Sequence, residues 1–361
     1  MRKRRKTSIT PGADEPEPAP IAPKRKGPAP GGEPEIAPIP GVSVPAAAPV
    51  QPPKPRTRPG AAERWGKIPR NVFEGYRLDA LLGEGSMGAV FRAEQLSLHR
   101  PVAIKVLAPR LVHNESFLRR FLREARAVAK LNHPNVVSGI DVGESRGFHF
   151  FVMEYVEGPT LRDVIDRDGM LEPLAAARVV QQVARALEHA HRHKLIHRDV
   201  KPGNVIITRK AGIAKLCDLG LAKDVDEDGA DTSEGRSLGT PLYISPEQAR
   251  GDADIDIRSD LYALGATFYE TLTGRPPFHG ATHAVIMAKH LTEEPQPVRD
   301  LRPDTPAGCA AICERLLEKD PEDRYQSPTD LIADLDAVLE GRWQEPPLIK
   351  PRRRRASRRF R

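Results

Sequence analysis

Asp199, Lys201 and Asn204 fall within six residues of one another, in the run His197-Arg-Asp-Val-Lys-Pro-Gly-Asn204. The Pro-Gly break and the apolar Val205-Ile206-Ile207 that follows confine them to a short loop between a helical segment and a strand. The grouping suits transfer of a phosphoryl group to a hydroxyl. Asp199 can orient an alcohol and accept its proton, Lys201 can neutralise charge on the moving phosphoryl, and the amide oxygen of Asn204 is a hard ligand for Mg²⁺. Taken alone, the octapeptide also reads as an ordinary polar connection between helix and strand, so the flanking elements must decide.

Upstream, Tyr76-Arg-Leu-Asp-Ala-Leu-Leu82 alternates as a strand and runs into Gly83-Glu84-Gly85-Ser86-Met87-Gly88-Ala89-Val90. A bare GxGxxG is weak evidence. A dinucleotide-binding fold would open a helix there and place an acidic residue about 20 positions on. Here Ala89 to Gln95 reads as a second strand, and Val102-Ala103-Ile104-Lys105 follows. Asn114 can cap a helix from about 115 to 131, whose stripe of Phe117, Phe121, Val128 and Leu131 also carries Glu124. An inward carboxylate needs a partner. Lys105 is one candidate, and a neighbouring arginine, Arg120 or Arg123, is the other.

Further strands are expected over 136–142 and 148–153, with a turn at Glu144-Ser-Arg-Gly147, before the chain turns away at Met153-Glu154-Tyr-Val156-Glu-Gly158. Beyond Gly158 helical periodicity dominates, and a buried helix over 174–193 leads into the Asp199 loop. A short hairpin then gives Lys215-Leu-Cys-Asp218-Leu-Gly220, an acidic stretch containing Thr232, Ser233 and Ser237, and Gly239-Thr240-Pro-Leu-Tyr-Ile-Ser-Pro-Glu247. A helix opening at Asp260 places a carboxylate where it can cap the Asp199 loop. Helices over 306–317 and 327–339 complete the region.

Over residues 76–339 this order and spacing resembles the protein kinase catalytic domain, and most closely the eukaryotic-like kinases of bacteria. The resemblance implies an α+β, two-lobed fold: a small antiparallel sheet with one helix and a hinge (76–157), then a larger helical lobe (158–339). It implies ATP and Mg²⁺ as cofactors, with Mn²⁺ as a substitute ion. In that scheme Asp199 is the base, Lys201 stabilises charge, Lys105 and Glu124 position the phosphates, and Asn204 and Asp218 hold the metal. Leu82 to Val90 cover the nucleotide; Val90, Ala103 and Ile206 sandwich the adenine, Met153 lies behind it, and the backbones of Glu154 and Val156 bond its edge. Thr240 beside Asp199 is associated with serine/threonine specificity, and Glu247 pairs with Arg324. Thr232, Ser233 and Ser237 become phosphosites of an activation loop, because Arg198 beside Asp199 calls for an anion. Leu219 stands where the family usually has Phe, which bears on the balance of active and inactive packing. The expected activity is γ-phosphoryl transfer to Ser/Thr hydroxyls of protein substrates, with self-phosphorylation in trans. A catalytically silent scaffold is the alternative, against which Lys105, Asp199 and Asp218 are all retained.

Composition bounds the rest. Of the 36 prolines, 16 lie in the first 60 residues, where almost no aromatic residue occurs. Such a segment cannot bury enough apolar surface to offset its ordering entropy, so 1–75 is expected to be a disordered, proline-rich tail. Residues 1–71 carry 14 Lys+Arg against 6 Asp+Glu, residues 342–361 carry 9 against 1, and the segment between carries 33 against 42. Two basic arms therefore flank an acidic body, and either arm can meet an anionic partner or that body. The arms lack interleaved aromatics, which disfavours sequence-specific reading of nucleic acid. Cys309 and Cys313 stand four apart on an apolar helix without a second pair, which favours core packing over zinc. His189, His191 and His193, spaced by two, are expected to scatter over a helix surface. No apolar run is long enough for a membrane span, so the chain is expected to be soluble and cytoplasmic.

Overall fold

The computed structural model describes residues 39, 68–85, 87–218 and 241–344. A five-stranded antiparallel sheet in the order β1-β2-β3-β5-β4 forms the smaller lobe, from β1 (Tyr76–Gly85), β2 (Gly88–Gln95), β3 (Arg100–Leu107), β4 (Gly139–Ser145) and β5 (Phe148–Glu154). Val102 to Leu107 are all buried, because β3 is covered on both faces, and this is why a nearly continuous apolar run, interrupted only by Lys105, encodes it rather than an alternating one. Between β3 and β4 lie the one-turn helix α1 (Pro109–Val112) and the longer α2 (Glu115–Val128). Asn114 caps α2 by accepting from the Phe117 N–H at 2.9 Å, and Phe117, Phe121, Ala125 and Val128 form its buried stripe.

The larger lobe contains α3 (Leu161–Asp168), α4 (Pro173–Arg192), the two-stranded pair β6 (Val205–Ile207) and β7 (Ala214–Leu216), α5 (Pro246–Arg250) and α6 (Ile257–Thr273), followed by α7 (His283–Thr292), α8 (Val298–Leu301), α9 (Ala307–Leu316) and α10 (Pro328–Leu339). Ser259 through Leu272 of α6 are buried without exception, so this helix is the axis on which the lobe packs. Asp256 caps its start, and Gly274 ends it in a left-handed conformation (φ 75°) that a side chain would resist. Cys309 and Cys313 of α9 are free and buried, as expected for packing residues. Among the described residues, no helix is long and apolar enough to cross a membrane.

Several boundaries differ from those expected, and three of the differences have a visible cause. The fourth strand begins at Gly139, not Val136, because Val136 and Val137 serve the other lobe: the Val137 N–H donates to the Leu216 carbonyl at 2.9 Å, and Val136 bridges the same residue. Residues 68–75, assigned to the tail, are folded. Val72 and Phe73 are buried in the small lobe's apolar cluster, where the Phe73 ring lies 4.5 Å from that of Phe150. At the other end Trp343 packs on the large core, with its N–H bonded to the Ala337 carbonyl at 3.0 Å, so the folded body extends past 339. Val72 with Phe73 at one end, and Trp343 at the other, suffice to retain a few residues of flanking chain.

Candidate active site

Asp199 sits on a loop whose backbone is held from beneath. The Asp260 carboxylate, itself buried at the start of α6, accepts from the His197 N–H at 2.7 Å and from the Arg198 N–H at 2.6 Å. Arg198 has φ 63°, a conformation unfavourable for a side-chain-bearing residue, and the Asp260 bonds offset that cost. The buried His197 ring ties the loop to β7: Nδ1 accepts from the Asp199 N–H at 3.2 Å, and Nε2 donates to the Cys217 carbonyl at 3.0 Å. A single turn of 3₁₀ helix at Pro202–Asn204 then folds the chain back. It brings the Asn204 amide nitrogen to the Asp199 carbonyl (2.8 Å) and to Asp199 Oδ2 (3.1 Å), while Lys201 Nζ reaches the same Oδ2 at 2.6 Å. Asp199, Lys201 and Asn204 thus form one hydrogen-bonded cluster.

Lys105 and Asp218 form a second cluster. Lys105 projects from β3 and is buried, and its Nζ donates to Asp218 Oδ1 at 2.9 Å across 113 residues of sequence. Burial raises the Asp218 carboxyl, but Lys105, with Lys201 and His197 adding to it, outweighs burial and holds the group below the usual carboxylate range. Asp218 is also left-handed (φ 60°), which presents its carboxylate where a regular strand would not. The ion pair of Lys105 is therefore with Asp218, and the expected Lys105–Glu124 pair is not among the ion pairs of the described residues. Glu124 lies half-buried on α2, on the stripe that faces the sheet.

The glycine-rich turn joins β1 to β2, a hairpin and not a helix start. A side chain at Gly88 (φ 150°) would drive its Cβ to 1.9 Å from the Val106 carbonyl oxygen, so only glycine lets β2 pass that close to β3. Added Cβ atoms at Gly83 and Gly85 would meet nothing within 4 Å, which leaves their backbone open to approach. Ala103 and Met153 are direct partners on β3 and β5, and Leu82, Val90, Val156 and Ile206 pack half-buried against the same apolar cluster. Glu84, Met87 and Ala89 lie on the same hairpin; the Met87 carbonyl accepts from the Ala108 N–H at 2.8 Å, and Ala89 is buried. The Glu154 side chain is bonded away from the cleft, to Lys215 Nζ at 2.9 Å, and its N–H is taken by the Ser138 carbonyl at 2.9 Å. Ser86, Leu219, Thr232, Ser233, Ser237 and Thr240 lie outside the described residues.

Arg324 and Glu247 meet as a bidentate pair, Nη1 to Oε1 at 2.8 Å and Nη2 to Oε2 at 2.9 Å, with Arg324 fully buried. Burial raises Glu247, and the Arg324 guanidinium more than reverses it, leaving the carboxyl below its ordinary range. A related constellation escaped the sequence reading. Arg162 on α3 donates to Glu270 Oε2 of α6 at 2.6 Å and to the Tyr243 hydroxyl at 2.5 Å, and that hydroxyl donates to Glu270 at 2.5 Å. Burial and the Glu270 charge push the Tyr243 hydroxyl up, so it remains a donor. This triad fastens the segment after Thr240 to the core helix. Its members are 81 and 108 residues apart, and no linear spacing announces them.

The histidine expectation is corrected in part. His191 and His193 are exposed, but His189 is half-buried, stacked on His133 (5.1 Å) and tilted against His193 (4.7 Å), since residues 189 and 193 share a helix face four apart. Among the described residues no group of His, Cys, Asp or Glu forms a metal cluster. The candidate donors Asn204 and Asp218 offer oxygen instead. The Asn204 nitrogen is committed to Asp199, which leaves its oxygen, and Asp218 is a carboxylate with one oxygen on Lys105. Hard oxygen donors fit Mg²⁺ and not a soft metal.

Residues 76–335 match the family described as the protein kinase domain. The chain is 39% identical over 286 residues to the serine/threonine-protein kinase PknB of Mycolicibacterium smegmatis, covering 78% of this chain and 45% of that protein. It is 40% identical over 273 residues to the probable serine/threonine-protein kinase CPE1738 of Clostridium perfringens, covering 76% and 39%. The chain thus spans less than half the length of these relatives. The crystal structure of the PknI kinase domain of M. tuberculosis superposes with a TM-score of 0.61 at 30% identity, covering 76% of this chain and 99% of that one.

Proposed function

The chain belongs to the protein kinase family, and from that premise we propose that it is an ATP-dependent serine/threonine protein kinase whose Asp199 receives the proton of a substrate hydroxyl. The observation that carries the reading is the convergence of Asp199, Lys201 and Asn204 on one carboxylate, with the Lys105–Asp218 pair as a second charged cluster of the same chain. Mg²⁺, when bound with ATP, supplies neutralisation of the developing phosphoryl charge. Asp218 and Asn204 are the oxygen donors that would hold it. Lys105 is positioned to leave Asp218 for the α/β-phosphates, as a point charge whose long stem permits the exchange. Asp199 orients the incoming hydroxyl and takes its proton, and Lys201 screens the charge that then accumulates.

Serine/threonine choice rests on the relatives' names and on Thr240 following Asp199 in the sequence scheme. Phosphorylation in trans at Thr232, Ser233 or Ser237 is part of the same proposal, as is Mn²⁺ in place of Mg²⁺. The three free cysteines suit a reducing cytoplasm. To test the reading, purified protein is incubated with labelled ATP and Mg²⁺ beside an Asp199→Ala control, and the phosphate is mapped by mass spectrometry. Incorporation at the loop residues in the parent alone is expected. ATP binding without incorporation into the protein or into generic substrates would sink it.

A further inference from the structure

Ile39 lies far into the proline-rich N-terminal arm, yet it is only 5% exposed and belongs to the large apolar cluster of the body. Its N–H donates to the Gly212 carbonyl at 3.2 Å. Gly212 occupies the turn between β6 and β7. That turn closes on itself, with Thr208 N–H bonded to the Ile213 carbonyl (2.8 Å) and Gly212 N–H to the Thr208 carbonyl (2.9 Å). The Gly212 carbonyl is thus the group of this residue left to take a donor from outside. Gly212 has φ 59°, and a Cβ built there would lie 3.5 Å from the Ile39 nitrogen and 3.6 Å from its oxygen, so the glycine allows a second backbone to lie against the turn.

The arm's own chemistry matches this seat. Ile39 stands between Pro38 and Pro40, neither of which has an N–H. Ile39 is therefore the one residue of the three able to donate from its backbone, and the structure spends that donor on Gly212. A residue preceding proline is biased to extended geometry, and proline has little conformational freedom to lose, so ordering such a tripeptide costs less than ordering an average one. Residues 40–67, 28 in all, separate Ile39 from Ile68 at the start of the described body.

The seat also adjoins the hinge. Ile207 and Arg209 donate to the carbonyls of Pro159 and Glu157 at 2.9 and 2.8 Å, and a Cβ at Gly158 would strike the Ile207 carbonyl oxygen at 1.9 Å. The hairpin that receives Ile39 is thus bonded to the segment leaving the small lobe.

We propose that the Thr208–Ile213 turn of the large lobe is a docking site for an extended proline–apolar–proline peptide, and that its occupant is this chain's own arm, anchored by Ile39. The proposal is independent of the catalytic reading. In the full-length chain, the Ile39 amide is expected to exchange with solvent at least about tenfold more slowly than an unstructured amide, at a rate independent of protein concentration. Ile39→Asp removes the apolar anchor, so faster exchange at Ile207 and Arg209 is expected in that variant. A fluorescent peptide of residues 33–45 added in trans is expected to bind the Ile39→Asp chain and to bind the parent roughly tenfold more weakly, because the tethered arm competes at high effective concentration. A peptide carrying the same Ile39→Asp change is expected to bind neither. Random-coil exchange at Ile39, or equal peptide binding to both chains, would overturn the proposal. Protection that rises with protein concentration would assign the seat to a second copy's arm and overturn it equally.

Discussion

At the scale of single residues, the site depends on two charged side chains that the chain must place in a low-dielectric cleft without letting them collapse into inert pairs. Lys105 is buried and Asp218 is held ionised by it, so each is the other's main partner in this conformation. Such a pair is a reservoir: Lys105, already buried, can be redirected to a phosphate with little new desolvation cost, while the half-exposed Asp218 carboxylate stays open to a cation. Replacing Lys105 with Met removes the counter-charge to Asp218 and, on the proposed function, a phosphate contact. The expected outcome is a fall in kcat of roughly 10²–10³-fold with the fold retained, read from steady-state kinetics beside circular dichroism. Activity within a fewfold of the parent would mean that Lys105 serves Asp218 alone.

At the scale of elements, the Asp199 loop takes its geometry from α6 as well as from its own sequence. Asp260 accepts two backbone N–H bonds at 2.7 and 2.6 Å in a buried place, and one of them supports the left-handed Arg198. Asp260→Ala leaves two donors without that partner, at about 1–3 kcal/mol each. A lower Tm together with a loss in kcat larger than any change in KM is expected, since on the proposed function the loop positions the base and not the nucleotide. Asp260→Asn keeps one acceptor and turns a donor toward the other N–H, so it should recover only part of the loss. Thermal melts and kinetics of the two variants check this, and an unchanged Tm in both would refute the capping role. Glu247 and Arg324 act at the same scale: breaking a buried, bidentate pair costs about 3–5 kcal/mol, so the anchor between α5 and the end of the large lobe is structural.

At the scale of the whole molecule, protonation and charge distribution set the working range. Burial holds His290 down to about 4, with Lys319 adding to the effect, and burial, reinforced by His189, does the same for His133. The unfolded chain binds these protons near the ordinary value of about 6.5. The stabilisation from keeping each ring neutral is therefore complete above about 6.5 and declines as pH falls toward about 4. Urea unfolding across that window should show decreasing stability, with a shallower slope in His290→Gln; identical slopes would remove His290 from the account. The charge division between acidic body and basic arms makes a contact of the C-terminal arm with the body a testable outcome. Deleting 345–361, beyond the packed Trp343, should raise activity at low salt, with the difference vanishing as ionic strength rises. Salt-independent kinetics in both forms would dismiss that contact.

Short-range chemistry was legible in the sequence. The Asp199–Asn204 loop, the glycine turn between two strands, the Asn114 cap and the stripe of α2 each depend on residues within a few positions of one another, where backbone geometry leaves few choices. The Glu247–Arg324 pair was also named from motif order, although its bidentate geometry was not. What only the tertiary structure decided is long-range competition. Lys105 was expected to meet Glu124, and the fold instead brought Asp218 to 2.9 Å from it. Val136 and Val137 have strand propensity in any context, but a free edge on β7 drew them away from β4. Tyr243, Arg162 and Glu270 carry no local signature at all, and Ile39 lies in a segment whose composition argues against order. A pattern within one turn or strand is set by local sterics; a partner a hundred residues away is set by which surfaces the whole chain can bury together.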